Sequence, residues 1–274
     1  METIAVGLSD PASQKAIDWV IDRARTRKIE VTLVAAYDWF LTPLSEITEL
    51  LRAARARIAV KSPRTVVHVA AVEDDAVAAL VAASEEVDLL VIGAHLRQHL
   101  ASLGEAPALR VARRARSATV IVPEEWKPTS RGVVIVGSDD DSSDSAIAFA
   151  EHEAEDSGAQ LEVVRAWTSP MPAYDPLVWI VDTEGERRIS NRESLDAVID
   201  RVKTEHPTAR VRGLLAECLP VAALHDRGGH ADLVVIGSHR RGPIATWIVG
   251  STARELLTNM LTPLCIVPRA HPTR

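Results

Sequence analysis

The chain reads "DLLVIGAH" from Asp88 to His95 and "DLVVIGSH" from Asp232 to His239. Each stretch is a short run of Val, Ile and Leu without strict polar alternation, followed by a glycine. That is the pattern of a parallel strand buried on both faces and closed by a turn. The two copies lie 144 residues apart, and other pairs recur in the same order. "IAVGLSD" (Ile4 to Asp10) answers "VIVGSDD" (Val134 to Asp140), and "VTLVAAYDW" (Val31 to Trp39) answers "LEVVRAWTS" (Leu161 to Ser169), both at an offset of 130. "TVIVPEEW" (Thr119 to Trp126) answers "LCIVPRAH" (Leu264 to His271). Four landmarks in one order define an internal duplication.

Helical periods separate the strands. Ile17, Val20, Ile21 and Ala24 fall at i, i+3, i+4 and i+7, as do Ile47, Leu50, Leu51 and Ala54, and Val77, Leu80, Val81 and Ser84. In the second half the same spacing joins Leu195, Val198, Ile199 and Val202, and again Ala253, Leu256, Leu257 and Met260. Strands alternating with helices predict an α/β fold, a parallel sheet with helices on both faces, in each of two tandem domains. The join is "PEEWKPTSRG" (Pro123 to Gly132), polar with two prolines, which bounds the domains at 1–126 and 132–274. The offset widens from 130 to 148 at the second helix, so the second domain carries 18 extra residues. They fall in "TSPMPAYDPLVWIVDTEGERR" (Thr168 to Arg188), an inserted loop with Trp179 in an apolar knot. Such a loop either docks on its own domain or acts as a lid or subunit contact.

Composition narrows the function classes. Apolar residues are 47% of the chain, enough for a compact fold, and a net charge of −7 argues against nucleic acid or an anionic membrane as partner. Cys218 and Cys265 form no C-x-x-C pair or ligand cluster, so neither a disulfide scaffold nor a metal site is expected. The start has no secretory pattern and no apolar run reaches membrane-spanning length, so a cytoplasmic protein is expected. No G-x-S-x-G elbow and no H-E-x-x-H motif occurs, and no residue is placed as a catalytic group.

In an open parallel sheet, ligands bind outside the carboxyl ends of the strands where the strand order reverses. The informative turn is "IGSHRRGPIATWIVGSTARE" (Ile236 to Glu255). Gly237 ends the strand, Gly250 follows thirteen residues later, and Ser251 and Thr252 open a helix. Free amides at a helix start, a glycine that lets the backbone approach and a nearby hydroxyl suit an anion. Thr252 with Glu255 also reads as a capping box, which needs no ligand.

A strand ending in glycine, a later Gly-Ser-Thr, and an Asp just after the first strand resemble the universal stress protein family, here as a tandem of two domains. The resemblance implies a five-stranded parallel sheet in each domain and the ATP binding shown by one branch of the family. Carried over, Asp139 stands near adenine and ribose, while Gly237, Gly250 and Ser251 take phosphate-loop positions, with Thr252 adjacent. Mg2+ would accompany ATP. Arg240 replaces the middle glycine of the family motif and either fills the phosphate site or contacts the phosphates itself. His239, Arg240 and Arg241 form either a phosphate clamp or a solvated basic loop.

The first domain departs further. Its turn "IGAHLRQHLASLGEAPALR" (Ile92 to Arg110) has Leu96 and Ala106 at glycine positions, and Ser9 stands where Asp is expected. That site reads as degenerate. The acidic run Asp139, Asp140 and Asp141 reads either as an ion or phospho-acceptor cluster or as a solvated turn opening a helix.

The expected protein is a stress-response regulator that binds ATP in its second domain and signals to an unidentified protein partner. It is expected to be no enzyme beyond slow incidental ATP hydrolysis. In the family the last strand pairs across a two-fold axis, so "ATVIVP" (Ala118 to Pro123) and "PLCIVP" (Pro263 to Pro268) are expected to pair within one chain, and two chains to form a homodimer. The competing expectation is a structural protein that binds no nucleotide and acts through its dimer surface and the Trp179 loop.

Overall fold

The structure is a computed structural model that describes residues 1–9, 13–38, 40, 42–94, 106–139, 144–168, 183–240, 247–248 and 251–269. At 183–184, 239–240, 247–248 and 251 the description covers the backbone alone. The first half runs β1 (Glu2–Leu8), α1 (Ser13–Arg23), β2 (Ile29–Tyr37), α2 (Leu44–Lys61), β3 (Val66–Glu73), α3 (Ala76–Ala83), β4 (Leu89–Ala94), α4 (Pro107–Ala112) and β5 (Ala118–Pro123). The second half follows with β6 (Val133–Ser138), α5 (Asp144–Ser157), β7 (Gln160–Trp167), α6 (Thr183–Glu205), β8 (Val211–Glu217), α7 (Pro220–Gly228) and β9 (Leu233–Gly237). It closes with β10 (His239–Arg240), β11 (Trp247–Ile248), α8 (Ser251–Asn259) and β12 (Leu264–Val267).

Within each half five strands run parallel, in the orders β3-β2-β1-β4-β5 and β8-β7-β6-β9-β12. The halves do not carry separate sheets. β12 lies antiparallel against β5, pairing Leu264 with Ile121, Cys265 with Val120 and Ile266 with Thr119, so all ten strands form one sheet. The closing strands thus satisfy each other's edges, which removes two exposed edges that would otherwise recruit another chain.

Side chains alternate across this sheet and build two cores. Ile4, Val6, Val31, Leu33, Val120, Val134, Val136 and Leu161 face one layer with Ile17, Val20, Leu51, Ile147 and Leu195 from α1, α2, α5 and α6. Ala5, Leu90, Ile121, Ile135, Val164 and Val234 face the other, with Val77, Leu109, Leu224 and Leu256 from α3, α4, α7 and α8. Each core spans both halves, which explains why the central strands have no polar face to betray their alternation.

The aspartates that open the two quoted stretches have a structural task. Asp88 Oδ2 accepts from the Thr3 amide and hydroxyl, both at 2.8 Å, tying the entry of β4 to that of β1. Asp232 repeats this at β6, accepting from the amides of Arg131 at 2.8 Å and Gly132 at 2.6 Å. The segment joining the halves is therefore anchored, and its Trp126 is buried in the core.

Near the seam, α1 and α5 exchange charge. Arg23 donates to both oxygens of Glu153 at 2.8 and 2.6 Å and to both oxygens of Glu2 at 2.9 and 2.7 Å. Arg27 adds a bond to Glu153 at 2.9 Å, and the Arg23 guanidinium lies 5.1 Å from the centre of the Trp19 ring. The offset of 130 that relates β1 to β6 also relates Arg23 to Glu153, so the partners occupy equivalent places in the two halves. Desolvation alone would raise the Glu153 carboxyl, but the Arg23 and Arg27 contacts outweigh it and hold it below the ordinary carboxylate range. Against its own desolvation, the Glu153 and Glu2 carboxylates keep the Arg23 guanidinium raised.

Two expectations are corrected in detail. The second-half insertion is not all loop: α6 begins at Thr183, so residues 183–188 are helical and α6 runs 23 residues against 18 in α2. The stretch read as an open turn after β9 contains β10 and β11, which pair His239 with Ile248 and Arg240 with Trp247. Trp179 lies outside the described residues.

Candidate functional site

The strand order reverses between β1 and β4 in the first half and between β6 and β9 in the second. At such a point the flanking connections leave in opposite directions and open a crevice at the carboxyl ends. In the second half β6 pairs with β9 through Val136 and Val235, so continuing the register sets Ser138 beside Gly237. Asp139 is the first residue beyond β6, and Ser238 and His239 follow β9. Of the expected residues, Asp139, Gly237 and the backbone of His239 are thus brought to one end of the sheet.

Ser138 is 7% exposed and Ser238 is 4% exposed, and neither hydroxyl has a hydrogen-bond partner among the described residues. A buried hydroxyl left unpaired costs about 1–3 kcal/mol, so two together are an unusual expense for a strand terminus. Neither serine stood out in the sequence, although each follows a strand glycine, in "VGS" and "IGS".

Ser251 is the first residue of α8 and Thr252, half-buried, the second. The helix thus starts where expected, with the free amides and partial positive charge of its first turn. β10 and β11 bring the backbone of residues 239–240 against that of 247–248, just ahead of this helix. The side chains of His239 and Arg240, and Gly250, lie outside the described residues.

At the matching point of the first half, Gly7, Leu8, Val34, Leu80, Ile92 and Pro107, among the described residues, line a cavity of about 80 Å³. A wider one of about 600 Å³, lined by Tyr37, Asp38, Phe40 and Asp74, adjoins it through Ala36 and Ala76, which line both. A Cβ at Gly7 would meet Leu80 Cδ2 at 2.9 Å, whereas one at Gly137 would meet nothing closer than Leu224 Cδ1 at 3.4 Å.

A duplicated α/β chain with one seam of antiparallel strands and a reversal of strand order in each half defines a tandem, doubly wound α/β protein. The universal stress protein family profile matches residues 1–123 and 131–268, and the chain belongs to that family. Universal stress protein Rv2623 of Mycobacterium tuberculosis is 28% identical over 96% of this chain and 95% of its own length. Universal stress protein Rv2005c of the same species is 27% identical, over 68% of this chain and 64% of its own. Among solved structures, a universal stress protein from Archaeoglobus fulgidus superposes with a TM-score of 0.69 at 17% identity, covering 98% of both chains. Among the described residues no helix is long and apolar enough to cross a membrane.

Proposed function

We propose that this chain is a stress-response regulator that binds an adenine nucleotide, ATP with Mg2+, in the crevice between β6 and β9. The observation that carries the reading is the pair of buried hydroxyls, Ser138 and Ser238, that have no hydrogen-bond partner among the described residues where the strand order of the second half reverses. In the proposed complex Ser138 and Ser238 gain the partners they lack. The first turn of α8 with Ser251 and Thr252, together with Gly237 and Gly250, faces the phosphates. Asp139 meets the ribose or the accompanying Mg2+. His239 and Arg240 would place cationic groups on the β- and γ-phosphates, charge that suits a triphosphate over a nucleoside.

No residue is assigned as a general base, so the nucleotide acts by binding linkage. Phosphates held between β9 and α8 fix the segment from Gly237 to Gly250, and a protein partner reads the surface so presented. The domains carry different duties in this scheme, with 1–126 serving assembly and 132–274 serving the ligand, in a homodimer located in the cytoplasm.

Titration calorimetry of wild type and Gly250→Trp with MgATP tests the proposal. Heat from the wild type and none from the variant is expected, together with an adenine nucleotide released when purified protein is denatured. No heat from the wild type, or equal heat from both, overturns it.

A further inference from the structure

A second polar cluster lies where the middle of α5 meets the end of α6. Glu151 of α5, Glu205 at the end of α6 and His206 directly after it each offer one donor atom, all within 4.8 Å of one another. Glu151 is 7% exposed. Its Oε2 is 3.8 Å from His206 Nε2, while its Oε1 is buried with no hydrogen-bond partner among the described residues. The other ring nitrogen of His206 stands 3.3 Å from a Glu155 oxygen, the outer carboxylate contact that orients an imidazole whose second nitrogen serves as a ligand. The group opens on a cavity of about 190 Å³, lined also by Ala154, Leu161, Val202 and Arg210.

The twin half shows that the scaffold does not require these groups. The offset of 130 places Ile21 where Glu151 stands, and the offset of 148 places Ile58 where His206 stands. Both isoleucines are core residues, 5% and 0% exposed. At the same place in one fold, packing is complete with two isoleucines, and the second half has instead a buried carboxylate with an orphaned oxygen, an imidazole and a void. A carboxylate oxygen in that position is destabilising until something satisfies it.

We propose that Glu151, Glu205 and His206 form a binding site for a first-row divalent transition ion of the zinc class, clipping the end of α6 to α5. One imidazole with two carboxylates suits such an ion, whereas Mg2+ and Ca2+ favour all-oxygen shells. Two carboxylates balance its charge. Bonds of about 2.0–2.2 Å place tetrahedral donors about 3.3–3.5 Å apart. The Glu151–His206 separation of 3.8 Å is close to that spacing, and Glu205 is exposed and free of packing that would stop it turning inward.

Full-length protein freed of metal with a chelator and then dialysed is titrated with ZnCl2 by calorimetry. Glu151→Ile with His206→Ile is titrated in parallel, since it copies the packing of the twin half, and His206→Gln serves as the second variant. Expected are one Zn2+ per wild-type chain, affinity lower by about 100-fold in both variants, and a zinc-dependent rise in Tm confined to the wild type. MgCl2 at the same concentration is expected to give neither heat nor a rise in Tm. No zinc uptake by the wild type, equal uptake by a folded variant, or an equal response to Mg2+ overturns the proposal. Circular dichroism establishes folding, and if the double variant fails to fold, His206→Gln decides alone.

Discussion

Removing the Glu153 side chain is the most informative single perturbation of the fold. Glu153→Ala deletes a carboxylate that accepts from Arg23 at 2.8 and 2.6 Å and from Arg27 at 2.9 and 3.2 Å. The arginine side chains are 6% and 11% exposed, so neither can turn to water without opening the helix layer. Breaking a buried pair in this way costs about 3–5 kcal/mol. Arg23 keeps Glu2, 21% exposed, and Arg27 keeps Asp156 at 3.2 Å and 56% exposed, which offset part of the loss. A loss of about 3 kcal/mol is expected, equivalent to a fall in Tm of about 6–12 °C for a chain of this size.

Equilibrium urea unfolding of wild type, Glu153→Ala, and a cycle of Glu153→Met, Arg23→Met and the Arg23→Met/Glu153→Met pair measures both the loss and its origin. The pair removes both charges, so it is expected to cost less than Glu153→Ala, with a coupling energy of at least about 1.5 kcal/mol. The pH dependence carries a definite sign. The carboxyl is depressed in the folded chain, so its contribution is complete above the ordinary glutamate value of about 4.3 and fades as pH falls through the folded value. A loss under about 1 kcal/mol for Glu153→Ala, or a pair whose cost equals the sum of the singles, would refute the assignment of a desolvated charge cluster at the seam.

Glu162 offers a contrast, being 1% exposed while its partners Arg212 and Arg227 are 47% and 31% exposed, so Glu162→Leu should cost about 1 kcal/mol because those arginines can rehydrate. The same urea assay checks this, and a loss matching Glu153→Ala would contradict it. Gly7→Ala should destabilise by about 1–3 kcal/mol, since its Cβ would stand 2.9 Å from Leu80, whereas Gly137→Ala, with 3.4 Å to Leu224, should stay within about 1 kcal/mol of wild type in thermal melts. Burial, with the Glu153 charge second, pushes the Cys265 thiol well above its ordinary value, so a disulfide reagent should label half-buried Cys218 first and reach Cys265 only on unfolding. Two thiols reacting at one rate under native conditions would overturn that ordering.

The duplicated strands were legible because burial on both faces leaves a run such as Val234, Val235 and Ile236 no polar partner and no other use. Helices with a clear apolar stripe were equally open to reading, and Ile17, Leu51, Leu195 and Leu256 all lie in the cores. α4 escaped because six residues, Pro107–Ala112, cannot show a period. β10 and β11 escaped because a two-residue pairing has no periodic signature at all. At the crevice, the glycines and Asp139 announced themselves through their place after strands, but the orphaned hydroxyls of Ser138 and Ser238 depend on burial, which spacing does not encode. Glu151 and His206 each follow or precede a residue of the other type, in "EH" at 151–152 and 205–206, yet only the meeting of two helices brings the useful pair together.

The bond between Arg23 and Glu153 also limits how this molecule can be taken apart. Because the two residues are counterparts, a symmetric dimer of the first half would set arginine against arginine, and one of the second half glutamate against glutamate. Either arrangement would force identical charges together out of water. The pairing is attainable only between sequences that have diverged. Each half has become an obligate mate of the other, and expressed separately they should reject copies of themselves and recombine as a heterodimer.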